Sequence, residues 1–213
     1  MYARFLKRPI DFLLATVALV LLSPLLVLLI LIGTVAMGGN PFFTQLRPGK
    51  NEKIFRLIKF RTMNNRRDAA GALLPDAERL NGYGKLLRAT SLDELPELIN
   101  IWLGQMAIIG PRPLLPSYLP LYNERQRHRH DVRPGLTGYA QVHGRNAVTW
   151  EQRFEMDLHY VQRITFWGDV KILLSTVAVV FKRSGISDGE CATKEPFQGT
   201  PPACEDGENL TQG

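Results

Sequence analysis

The chain has 213 residues, 45% of them hydrophobic, and its 26 lysines and arginines outweigh 20 acids for a formal net charge of +6. This is one modest domain with enough apolar material for a core, and its two cysteines, Cys191 and Cys204, make neither a disulfide framework nor a cysteine metal site. From Ile186 onward there are six acids and one lysine, so residues 1–185 carry about +11 and expect an anionic partner: nucleic acid, anionic lipid or a phosphorylated substrate.

The first predicted element is apolar all round. Phe12 to Met37 runs 26 residues without a charge, longer than a signal-peptide core, and reads as membrane-retained. Basic residues flank it on both sides, Arg4, Lys7 and Arg8 before and Arg47, Lys50, Lys53 and Arg56 after. The positive-inside rule therefore gives no direction. Ser23 and Pro24 sit mid-run, where proline removes a backbone hydrogen bond and bends a helix. A helix that enters one leaflet and returns fits these facts, and so does a plain kinked span.

Asn40 to Met63 predicts a β-hairpin around Pro48, Gly49, Lys50 and Asn51, with Lys59 and Arg61 on one face of its second strand. A polar loop with short helical pieces follows, and then a helix from about Leu95 to Met106. The segment "IIGPRPLLPSYLPLY" is a proline-punctuated turn. In the basic stretch "NERQRHRHDVRPG", His128 and His130 are expected to be solvated. "GLTGYAQVHGRN" is a glycine-rich loop or strand that carries Arg145. The uncharged run Ile172–Phe181 is too short to span a bilayer and suits a helix lying in the interface or in the core, the interface being favoured because a membrane anchor is already present.

Within "RATSLDELPELINIW" two carboxylates stand side by side, Asp93 and Glu94. Ser91 and Glu94 match a capping box, but that frame puts Pro96 deep enough to cost a backbone bond. Placing Asp93 at the cap puts Pro96 in the first turn, where no donor is needed. A carboxylate there is kept ionised beside amides that favour phosphate, and aspartate attack on phosphorus is an established covalent chemistry. Capping alone explains the pair locally. Its company points further: Arg88, Arg112 in "GPRP" and Arg145 in "HGRN" are cations in constrained settings that suit phosphate oxygens.

The anchor with Ser23-Pro24, "FTQLRPGKNEKIFRLIKFRTM", "TSLDELPELINIWLG" and "IIGPRPLLPSYLPLYNERQRHRHDVRPGLTGYAQVHGRN" together resemble the monotopic phosphoglycosyl transferases, the bacterial sugar transferases, over roughly residues 1–185. The short form is similar to the diacetylbacillosamine-phosphate transferases. The resemblance implies an α+β, helix-rich membrane-associated domain with a small β-hairpin, a re-entrant membrane helix bent at Ser23-Pro24 (residues 1–39), a catalytic domain (40–185) and interfacial amphipathic helices. It also implies transfer of a sugar 1-phosphate from a UDP-sugar to undecaprenyl phosphate with release of UMP. The place implied is the cytoplasmic face of the bacterial inner membrane, among its lipids. Asp93 would be the nucleophile and a ligand of the required Mg2+, with Glu94 assisting as a base toward the lipid phosphate. Lys59, Arg88, Arg112 and Arg145 would bind substrate phosphates. Two departures stand out: Gln105 and Ala107 in "GQMA", where the family commonly has an acid, and His143 before "GRN". Residues 186–213 are expected to be a disordered acidic tail.

The rival reading is a non-catalytic basic protein anchored on anionic lipid, which needs neither carboxylate. A nucleic-acid role is not expected, because the aromatics are not interleaved with the basic residues as a stacking platform. A homo-oligomer stays open.

Overall fold

A computed structural model describes residues 1–144, 148–182 and 196–200. After one π-helical turn at Tyr2–Leu6, the apolar segment folds as α1 (Lys7–Leu21) and α2 (Ser23–Met37). The two helices bend by 63° at the break, and among the described residues no single helix is long and apolar enough to cross a membrane. The break falls at Leu22, with Pro24 in the first turn of α2, where its missing N–H costs nothing. The Ser23 hydroxyl donates to the Val20 carbonyl at 2.7 Å, one of the acceptors freed there.

Both ends of this bent pair are fastened to the same body. Lys7 reaches Asp169 at 2.7 Å, and the Tyr2 hydroxyl donates to the same carboxylate oxygen at 2.7 Å. Arg8 donates to the carbonyls of Ile101 and Trp102, both at 2.9 Å, which caps a helix C-terminus with a cation. At the far end, Asn81 donates to the Ala36 carbonyl and Tyr83 to that of Leu29. The outer apolar surface stays bare, with Val35 84% and Leu21 72% exposed. A run of exposed apolar side chains on this scale marks a contact surface.

Strands β1 (Phe42–Pro48) and β2 (Ile54–Phe60) pair antiparallel, Phe42 opposite Phe60 and Pro48 opposite Ile54. This is the expected hairpin. Its turn takes Asn51 and Glu52 through positive φ, which asparagine tolerates. Next come α3 (Asp76–Arg79), α4 (Gly82–Thr90), a 3-10 turn at Leu92–Glu94 and α5 (Glu97–Trp102). The helix expected from Leu95 to Met106 is therefore shorter. Asn100, fully buried on α5, accepts from the Ile58 N–H and donates to the Arg56 carbonyl, locking α5 onto β2.

Strand β3 (Ala107–Ile109) is followed by the proline-punctuated segment, α6 (Glu124–Arg127) and β4 (Gly135–Thr137), which pairs parallel with β3. The backbones at Gly110 and Gly135 approach so closely that a Cβ on either would strike the other. Helices α7 (Tyr139–His143), α8 (Trp150–Gln162) and α9 (Phe166–Lys182) complete the body. On α9, Trp167, Leu174 and Val177 are exposed while Asp169 and Ile172 face inward.

Two expectations are corrected here. His130 is buried rather than solvated; burial first and then the Arg129 charge lower its pKa to about 4, so it is neutral at pH 7. His128 is exposed and lies 2.9 Å from Asp131. The tail is not disordered throughout: Phe197 is 3% exposed, packed with Tyr118, Tyr122, Trp150 and Phe154, because four aromatic rings offer it more than water does. The rest of 186–213 lies outside the described residues, as does Arg145.

Candidate active site

The carboxylate pair sits on the tight link between α4 and α5. Ser91 ends α4 in the left-handed conformation, and the chain turns through Leu92–Glu94 before Pro96 opens α5. Asp93 is thus inside a 3-10 turn and not the expected cap of α5, which starts four residues later at Glu97. Pro96 has no N–H to give the Leu92 carbonyl, which takes the Leu95 N–H at 3.3 Å instead, so the turn before α5 is 3-10 rather than α.

Two cations converge on Glu94. Lys59 from β2 donates to Glu94 Oε1 at 2.7 Å, and Arg112, three residues past β3, donates to the same oxygen at 2.7 Å. Lys59 also reaches Glu97 at 3.0 Å. Burial alone would raise the Glu94 pKa, but Arg112 and Lys59 overcome it and hold the carboxyl down at about 2. Glu97 answers to the same forces with the opposite outcome: burial pushes it up to about 7, Lys59 opposing and ionised Glu94 adding to the rise. Asp93 is raised too, by burial first and then by Glu94 beside it, with Lys59 and Arg112 pulling back. Asp93 forms no ion pair among the described residues. One carboxylate is therefore clamped by two cations, and its neighbour is partly desolvated and unclamped.

The clamp is rigid where it matters. Gly110 N–H donates to the Thr137 carbonyl and Gly135 N–H to that of Pro111, so the "GPRP" segment is stitched to β4. Behind it, buried Arg129 donates to the Arg112 carbonyl at 2.8 Å and to Asp157 of α8 at 2.7 Å. Sequence reading missed Glu97, Asn100, Arg129 and Asp157. Glu97 carries one legible signal, since it falls one helical turn beyond the dyad; Arg129 and Asp157 are 28 residues apart and carry none.

The residues expected to bind phosphate are brought together in part. Lys59 and Arg112 are in place, while exposed Arg88 at the end of α4 bonds Thr62 through Nε at 3.1 Å and makes no ion pair with the dyad among the described residues. The departure at Gln105 has a simple outcome: its carbonyl oxygen accepts from Asn100 Nδ2 at 2.6 Å, a task that needs an acceptor but no charge. His143 stacks on Tyr139 with ring centres 4.1 Å apart, its Nδ1 3.0 Å from the Tyr139 carbonyl. It lines an open cleft of about 490 Å³ with His159, Arg163 and Lys171.

Glu97 gives a test that needs no substrate. Its folded pKa lies above its ordinary value of 4.5, so the folded chain holds the proton longer than the unfolded chain. Stability is then full below about pH 4.5 and falls as pH rises toward 7. Glu97→Gln, neutral throughout, is expected to flatten the decline in Tm between pH 5 and 8; an unchanged slope would place the titration elsewhere.

The profile of the family described as "Bacterial sugar transferase" matches residues 2–183. The chain is 46% identical over 195 residues to the "Uncharacterized sugar transferase EpsL" of Bacillus subtilis, covering 92% of this chain and 96% of that one. It is 39% identical over 189 residues to the "UDP-glucose:undecaprenyl-phosphate glucose-1-phosphate transferase" of Escherichia coli, covering 82% of this chain and 40% of the other. Against the "Undecaprenyl-phosphate galactose phosphotransferase" of Salmonella typhimurium it is 36% identical over 200 residues, 86% of this chain and 42% of the other. The chain thus spans nearly all of the first and less than half of the latter two.

Proposed function

Since the chain belongs to the bacterial sugar transferase family, we propose that it moves a sugar 1-phosphate from a UDP-sugar to undecaprenyl phosphate, releases UMP, and does so through a phosphosugar-aspartyl intermediate on Asp93. The observation that carries this reading is the asymmetry of the dyad. Glu94 has both cations on one oxygen, while Asp93 has no cation partner among the described residues. An ion-paired carboxylate is a poor nucleophile, and a partly desolvated, unpaired one is a better one.

In the first half-reaction an Asp93 oxygen attacks the phosphorus that bears the sugar. The bond from that phosphorus to the bridging oxygen breaks, and UMP leaves with the electron pair. In the second, a phosphate oxygen of undecaprenyl phosphate attacks the same phosphorus and frees the Asp93 carboxylate. Lys59 and Arg112 would stabilise the charge that spreads over the transferring phosphoryl group, which is where this chemistry needs help. With Glu94 ionised down to about pH 2, its first task is to hold these two cations in place. It becomes the base toward the lipid phosphate once substrate phosphates draw the cations off it.

Magnesium would be held by one oxygen of Asp93, which would leave the other for attack. The ion asks for one or two carboxylates, with substrate phosphates and waters completing its shell, and an unclamped carboxylate beside a phosphate site fits that demand. When bound it would neutralise charge on the phosphates. N,N′-diacetylbacillosamine is the sugar we place first, ahead of the galactose and glucose that relatives' names carry. UMP release across a panel of UDP-sugars, with undecaprenyl phosphate and with or without Mg2+, tests the reading. No release with any donor would leave the lipid-anchored basic protein as the better account.

We place the chain in the bacterial inner membrane, facing the cytoplasm, with the bent pair α1–α2 re-entering the leaflet it came from. Support comes from Lys7 and Arg8 at one end and the Asn81–Ala36 contact at the other, which tie both ends to one body. Pro24→Ala restores a backbone hydrogen bond and favours a straight helix, about 39 Å for this run at ~1.5 Å per residue, ample for a bilayer core. A cysteine at exposed Ala3, with Cys191 and Cys204 removed, is expected to be labelled from the cytoplasm in the parent and to lose that labelling in part in the variant. Unchanged labelling would refute the role given to the proline.

A further inference from the structure

The only described part of the C-terminal tail, residues 196–200, sits in a socket with no part in the chemistry above. Phe197 has four rings around it: Phe154 at 5.0 Å and Tyr118 at 5.8 Å edge-on, Tyr122 at 5.8 Å stacked, and Trp150 at 5.7 Å tilted. Three residues on, the Thr200 hydroxyl accepts from Gln126 Nε2 at 2.8 Å, and Gln126 is itself fixed by the capping box of α6. A phenylalanine inserted among rings, followed by a side-chain hydrogen bond, is a docked segment and not a loose end.

Two of the four rings have a second occupant. The Arg129 guanidinium lies 5.7 Å from the ring centres of both Tyr122 and Phe154, and its Nη1 donates to the Tyr122 hydroxyl at 3.4 Å. From there Arg129 donates to the Arg112 carbonyl, and Arg112 donates to Glu94. An unbroken series of contacts thus runs from Phe197 through two rings and a buried arginine to the cation on the dyad. We propose that residues 196–200 are a clasp, in which Phe197 fills the socket from outside, holds Tyr122 and Phe154 against Arg129, and so positions Arg112 beside Glu94. Phe197 is a positioning residue; it touches neither dyad nor substrate. Emptying the socket leaves a void that Tyr122 and Phe154 relax into, and a small displacement of a phosphate-clamping group has a large kinetic effect.

The proposal rests on the sugar-phosphate transfer read above, so its test has one arm that needs no turnover. In the full-length Phe197→Ala protein, a fluorophore-labelled peptide of residues 194–202 is expected to bind saturably by anisotropy, and the same peptide with alanine at 197 is not. That arm stands even if no UDP-sugar is turned over by the parent. In the turnover arm, Phe197→Ala is expected to lower kcat by about tenfold or more, with the wild-type peptide restoring it in trans. In an Arg112→Lys background the same substitution is expected to cost less than about twofold, because the group it positions is already lost. Phe197→Leu, which still fills the socket, should keep most of the rate. Absence of peptide binding, peptide binding without rescue, or an equal loss in both backgrounds would each overturn the clasp; the last would reduce Phe197 to general stability.

Discussion

Asp93→Asn is expected to abolish both half-reactions, because an amide cannot form the acyl-phosphate. The substitution is nearly isosteric, and Asp93 caps no helix and makes no ion pair among the described residues, so the fold should survive it. Glu94→Gln is expected to behave differently. It releases Lys59 and Arg112 from their common oxygen and slows turnover, yet leaves the Asp93 oxygen free to attack. The phosphosugar adduct should then accumulate. Intact-protein mass spectrometry after incubation with UDP-sugar and Mg2+, with no lipid acceptor, is the readout. A mass increase of one sugar phosphate on Glu94→Gln, absent from Asp93→Asn, supports the assignment. A folded Asp93→Asn protein that turns over near the parent rate would end the nucleophile claim.

The largest effect on stability is expected behind the site. Arg129 and Asp157 are both about 2% exposed, joined by bonds of 2.7 and 3.2 Å. Asp157→Asn leaves a buried guanidinium without its counter-charge, and breaking such a pair on one side costs about 3–5 kcal/mol. For a domain of this size that is a fall in Tm of roughly 10 °C. Replacing both partners with apolar residues, Arg129→Met with Asp157→Leu, should recover much of the stability, since the desolvation cost disappears with the charges. It should not recover activity, because the Arg112 carbonyl has lost its donor. Thermal unfolding in lipid nanodiscs would decide it. A fall of less than about 2 °C for Asp157→Asn would mean that water reaches the pair and screens it.

The tail shows why composition misleads at short range. Residues 186–213 are rich in acids, glycine and proline, and their average predicts no packed structure. Five of them nevertheless hold a buried phenylalanine. One aromatic residue with a ready-made socket outweighs the average of its neighbours, and the socket is built from Tyr118, Tyr122, Trp150 and Phe154, far off in sequence. His130 misleads for the same reason: a basic, polar stretch reads as solvated, while in the fold the ring packs against Tyr122 and is buried.

What the sequence determined by itself is local or periodic. The length of the apolar run and its mid-point proline dictate two helices with a bend. The β-prone runs around a glycine-asparagine turn dictate the hairpin. The adjacent Asp93 and Glu94, with Pro96 after them, mark the turn that carries the candidate dyad, since each signal lies within a few residues of the structure it specifies. Only the tertiary structure decided which carboxylate is clamped and which has no cation partner among the described residues. The cations come from β2 and from the segment after β3, so Lys59 is 35 residues and Arg112 18 residues from Glu94. Ionisation follows burial and charge at distances of a few ångströms, and those distances exist only once strand, turn and helix have packed.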